Sequence, residues 1–149
     1  MSKVVLYRYF PSREAMVEAA LEAVTQRIER DLAGPWTGYG SGMRMLLATA
    51  RREPQGVQLV LDARSDPGLS VYFERCRGAV TKRVTAFVEG SQDIAADDPL
   101  ARLSVDAVAG LALDSLARWL RTGDPADDER FVAWYAAATR ALDDVWRAP

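Results

Sequence analysis

The run SKVVLYRYFPSREAMV, Ser2 to Val17, decides how this chain is read. Leu6 and Phe10 lie four apart, so on a helix they share a face and turn inward. Lys3, Tyr7 and Arg8 then point toward water or a partner. Pro11 stops that helix, because the residue ahead of a proline is pushed out of the α region. Ser12 is a good N-cap for a second helix starting at Arg13. A short helix, a tight turn and a longer helix result. Lys3, Arg8 and Arg13 come before or beside the turn, and no acid precedes Glu14. Tyr7 and Tyr9 lie among these cations. Cations and hydroxyl donors on a short helix suit the phosphates of a nucleic acid.

The same residues carry a resemblance. Ser2, Lys3, Leu6, Tyr7, Tyr9, Phe10, Ser12, Arg13, Glu14 and Met16 fall on the pattern that ends the DNA-binding domain of TetR-family transcriptional regulators. The resemblance implies an all-α protein acting as a homodimer. Residues 1–11 would be the recognition-helix part of a helix-turn-helix, and 12–149 a helical ligand-binding and dimerisation body. It implies that Ser2, Lys3 and Val4 face bases and nearby phosphates of double-stranded DNA, that Tyr7, Tyr9 and Arg13 hold phosphates, and that Leu6 and Phe10 hold head to body. The family carries two supporting helices ahead of this motif, so the chain as given is expected to be N-terminally incomplete. The alternative is a headless module that binds ligand and dimerises but does not bind DNA by itself.

The length, 149 residues, suits one domain with a real core. A formal net charge of −2 excludes a polycation that binds nucleic acid along its whole surface. Any DNA contact must be local. No apolar run reaches the length of a membrane span, since Asp106 and Asp114 interrupt the best one. With no signal-peptide pattern and Cys76 as the one cysteine, a cytoplasmic location and no internal disulfide are expected.

Along the body, Met16, Ala20, Val24, Ile28 and Leu32 predict one apolar stripe on a helix over 13–32, with Glu14, Glu18 and Glu22 as a solvated acidic row. Gly34-Pro35 ends it. The loop WTGYGSG, 36–42, holds two aromatics that either gate a pocket or, more commonly, anchor the loop to the core. Helices are predicted over 42–52 and, as a buried apolar piece, 55–65. Asp66-Pro67, Asp98-Pro99 and Asp124-Pro125 each place an Asp N-cap before a first-turn proline. They predict helices over 67–89, 99–121 and 125–147. The first is basic outside, with Arg75 and its neighbours set to pair with the acidic second helix. Asp114 and Arg118 are spaced to pair with each other. The last two helices carry more apolar surface than one body covers.

No catalytic set emerges. Without histidine there is no His-based general base, triad or metal site. Cys76 reads as a core residue, and the adjacent acids, Asp143-Asp144 included, read as solvated. The chain is therefore not expected to be an enzyme, nor to hold a cofactor or metal. The family likeness implies a mostly apolar effector site, whose wall is expected to draw on Met43, Leu47, Val60, Tyr72, Cys76, Leu111 and Trp134. A small apolar or aromatic effector is expected. In the family the last two helices of each subunit form a four-helix bundle across a two-fold axis. This implies an interface drawn from Ser115, Trp119, Phe131, Trp134, Tyr135 and Leu142.

Overall fold

A computed structural model describes residues 10–91 and 98–147. Among them there are six α-helices and no strand: α1 (Arg13–Leu32), α2 (Ser41–Arg52), α3 (Pro54–Asp62), α4 (Ser70–Ser91), α5 (Pro99–Thr122) and α6 (Asp128–Arg147). Short 3₁₀ turns follow α3 and precede α6, at Ala63–Ser65 and Pro125–Asp127. No helix among the described residues is long and apolar enough to cross a membrane.

The starts of these helices follow from local chemistry. Ser12 caps α1, its side-chain oxygen accepting from the Ala15 N–H at 3.0 Å. Asp98 caps α5 by accepting from the Leu100 N–H, with Pro99 in the first turn. Asp124 accepts from the Ala126 N–H, but this opens the 3₁₀ turn, and the α-helix begins only at Asp128. Asp66 behaves differently from the expectation. Its carboxylate accepts from the Gly68 N–H and closes a turn, so α4 begins at Ser70. A glycine in the would-be first turn favours that outcome.

α1 buries Leu21, Val24, Thr25, Ile28 and Leu32, while Met16 is half-buried and Ala20 exposed. A strict four-residue spacing drifts around a 3.6-residue helix, so the buried face leaves the expected stripe at its N-terminal end. In α3 Val57, Val60 and Leu61 are buried whereas Leu59 is exposed. That is helical spacing, and it settles the short apolar run as a helix. α4 runs through the middle, packed on α1 and on α5. Its Phe73, Cys76, Val80 and Val84 join the common core. Arg75 reaches across to α1, bonding Glu22 at 2.6 Å and Glu29 at 2.9 Å. Among the described residues the acidic helix and the basic helix thus pair through the Arg75 guanidinium, while Glu14 and Glu18 are exposed. Asp114 pairs with Arg64 at 2.8 Å, and not along its own helix as its spacing suggested.

The last two helices each present two apolar faces. α5 buries Ser104, Val105, Ala109, Ala112, Leu113 and Leu116, and leaves Leu100 and Leu103 exposed. α6 buries Phe131, Val132, Tyr135, Thr139 and Asp143, while Trp134, Leu142 and Val145 face outward.

Candidate ligand-binding site

The loop that joins α1 to α2, residues 33–40, touches α4 on one side and α6 on the other. Its α4 end is held by Arg83, which donates to the Gly34 carbonyl at 2.6 Å and lies over the Trp36 ring. Trp36 and Tyr39 both meet the Phe87 ring, at centroid distances of 6.5 and 5.5 Å. Its α6 end is held by the Tyr39 hydroxyl, which donates to Asp143 Oδ2, and by the Arg140 guanidinium over the Tyr39 ring. Gly40 closes the loop at a φ of 87°, with its backbone against Ala136 and Val132 of α6.

Under this loop lies a cavity of about 50 Å³. Trp36 and Tyr39 form its outer wall. α2 contributes Met43 and Leu46, and α4 contributes Val80, Val84, Phe87 and Val88. α5 adds Val108 and Ala112, and α6 adds Tyr135, Thr139 and Asp143. The wall is therefore apolar and aromatic, with a few polar atoms on one side, which is the composition of a small-molecule site. Tyr135 is buried, and burial raises its phenol pKa above the ordinary value. It stays a neutral donor, aimed at the Val108 carbonyl at 3.4 Å. The Trp36 indole N–H is buried and has no hydrogen-bond partner among the described residues.

The structure redistributes the residues expected to form sites. Of the proposed effector contacts, only Met43 lines this cavity. Leu47, Val60 and Cys76 are in the solid core, and Tyr72 packs against it. Burial pushes the Cys76 thiol up to about 12. Leu111 and Trp134 line a separate surface groove with Arg64, Asp114 and Arg121. Of the proposed dimer residues, Trp134 and Leu142 are exposed. Phe131 and Tyr135 are buried in the chain's own core, because Phe131 stacks on Trp119 at 4.8 Å and Tyr135 points at α5. Trp119 is half-buried and donates its indole N–H to Asp128 at 2.8 Å. Ser115 is half-buried, its hydroxyl turned back on the Leu111 carbonyl. Arg13 is exposed in the first turn of α1. Ser2, Lys3, Val4, Tyr7 and Tyr9 lie outside the described residues.

Asp143 is the residue that the reading of the sequence missed. Grouped with its neighbour Asp144 it read as solvated, yet it is 6% exposed. The available signal was period four: Tyr135, Thr139 and Asp143 follow one another on a single face of α6. Trp36 and Tyr39 were singled out, with anchoring as the commoner reading; they both anchor the loop and wall the cavity. No family model matches the chain, and neither a curated protein nor a solved structure matches it.

Proposed function

We propose that the chain belongs to a ligand-responsive transcriptional regulator of the TetR type, a repressor working as a homodimer in the cytoplasm by binding rather than catalysis. The cavity under loop 33–40 carries the effector half of this reading, since it is apolar, aromatic-walled and reached by four helices and the loop. The DNA half rests on the likeness of residues 2–16 to the family's recognition-helix pattern. In this reading residues 1–11 contribute to the DNA-binding head and residues 12–149 form the body. The dimer half is supported by the second apolar faces of α5 and α6, of which Trp134 is 51% exposed.

The route from effector to DNA runs along α4. One half of that helix walls the cavity through Val80, Val84 and Phe87. The other half holds α1 through Arg75, Glu22 and Glu29. α1 follows directly on the recognition stretch. An effector that binds one placement of α4 better than another shifts α1, and with it DNA affinity, by that difference in affinity.

The test is binding to DNA flanking the chain's own gene, titrated across salt concentration. Sequence-selective binding that weakens when the cavity is filled is expected. Tyr7→Phe should weaken it alike on all sequences, because a phosphate contact carries no base information. Binding that is weak, blind to sequence and lost as salt rises would count against the regulator reading.

A further inference from the structure

Most of the charged side chains described on α6 have a partner inside the chain. Asp128 bonds Arg51 of α2, and Glu129 pairs with Arg44 of the same helix. Arg140 lies over the Tyr39 ring, and Asp143 accepts from the Tyr39 hydroxyl. Arg130 and Asp144 differ. Both are exposed, and neither has a hydrogen bond, ion pair or ring contact among the described residues. They lie about four turns apart, so they share one flank of the helix, and Ala137 stands midway between them. Beside that flank runs the outward apolar stripe of α6: Trp134, Ala138, Ala141 and Val145, spaced alternately four and three apart. That is the spacing of a helix that packs along a second helix. Trp134, Ala141 and Val145 are exposed, and Ala138 is half-buried.

A cation near one end, an anion near the other and small residues between them make this face its own complement. Turned end for end about a two-fold axis at Ala137, a second copy sets its Asp144 against Arg130 and its Arg130 against Asp144. The same turn lays Trp134 of each copy over the Ala138–Ala141 stretch of the other, where short side chains leave room for an indole and let the helices approach. Helices packed in the same direction would instead set Arg130 against Arg130 and Asp144 against Asp144, and like charges placed together cost free energy. An unrelated helix would need matching charges of its own at the same separation, whereas a second copy carries them already. We propose that a second copy of this chain packs antiparallel along α6, with Arg130 of each copy paired to Asp144 of the other. The proposal rests on the homodimer reading above and adds the direction and register of packing, which exposed apolar residues alone do not give.

Sedimentation equilibrium of the full chain and of charge-reversed variants tests this. Arg130→Asp alone and Asp144→Arg alone should each loosen the dimer about tenfold or more, because the two-fold axis doubles the change and repulsion replaces attraction. The variant carrying both substitutions should dimerise within about threefold of the original chain. An equimolar mixture of the two single variants should favour the heterodimer over both homodimers, read by native mass spectrometry, since only there does an acid face an arginine at both contacts. Single variants that dimerise as tightly as the original, or more tightly as parallel helices would, overturn the antiparallel register and leave the homodimer reading standing. So does a mixture that assorts at random. An original chain that stays monomeric at all concentrations would overturn both.

Discussion

Gly40 shows how much the loop depends on single residues. Its φ of 87° lies in the left-handed region, where a side chain strains the backbone. A Cβ there would also stand 2.9 Å from the Ala136 Cβ on α6. Gly40→Ala is expected to destabilise the fold by about 1–3 kcal/mol, the sum of left-handed strain and overpacking, measured as a shift in urea midpoint. Gly42 has a different constraint: a Cβ would meet the Trp36 ring at 2.5 Å, so the glycine exists to let that ring lie on α2. At Cys76 the thiol is buried and held in its protonated form. It should react with a disulfide reagent more than about a thousandfold slower than an exposed thiol at mildly alkaline pH, and at the ordinary rate once the chain unfolds. Fast labelling of the native protein would show that α4 opens locally far more easily than its burial implies.

Between elements, the contact with the clearest titration behaviour joins α2, α5 and α6. Arg51 forms a two-pronged pair with Asp128, at 2.8 and 2.6 Å, and the Trp119 indole donates to the same carboxylate. The Arg51 bond holds the Asp128 carboxyl below its usual range, the Trp119 bond adds to that, and partial burial opposes it. Glu22 is lowered in the same direction, first by Arg75 and then by Gln26. A carboxyl lowered in the folded state contributes stability above its unfolded pKa of about 4 and loses it as pH falls through the folded value. The melting temperature should therefore be level from neutral pH down to about 5 and fall below about 4. Asp128→Asn should lower it at neutral pH and flatten that acid decline; an unchanged decline would mean that other groups carry it.

These contacts mark what could be read beforehand. Caps are local, so Ser12 and Asp98 predicted their helices, whereas the apolar run of 55–65, readable as a buried strand, was expected to be a helix only from its all-helical setting. Asp66-Pro67 failed because Gly68 let the same cap close a turn. The site was less legible, since a cavity is made by residues far apart in the chain. Tyr39 and Asp143 are 104 residues apart, and nothing local says that they meet. Leu47, Val60 and Cys76 have the same apolar character as the true lining residues and differ only in where the helices cross.

At the scale of the whole molecule, the outward faces of α5 and α6 dominate. Trp134, Leu142 and Val145 recur on α6 at helical spacing, and Leu100 and Leu103 lie exposed on α5. These exposed apolar residues are the surface that the proposed dimer would cover. The chain should sediment as a dimer at micromolar concentration, and Trp134→Glu should loosen it by at least about 2 kcal/mol, the cost of a buried aromatic anchor replaced by a charge. A monomer at all concentrations would remove the four-helix interface from the proposal. The monomer core gives this test a clean readout. Trp134 stacks on Phe131 at 6.1 Å from outside, so its loss leaves the Phe131–Trp119 stack in place.

The placement of the tryptophans also has an optical meaning. Among the described side chains, Trp36 is the indole that lines the cavity, while Trp119 is packed on Phe131 and Trp134 faces outward. Trp36 is also the one carried by the loop. An indole shut in an apolar wall emits toward the blue, and one swung into water emits toward the red. Trp36's share of the emission of the chain's four tryptophans is thus the part expected to change when something enters the cavity.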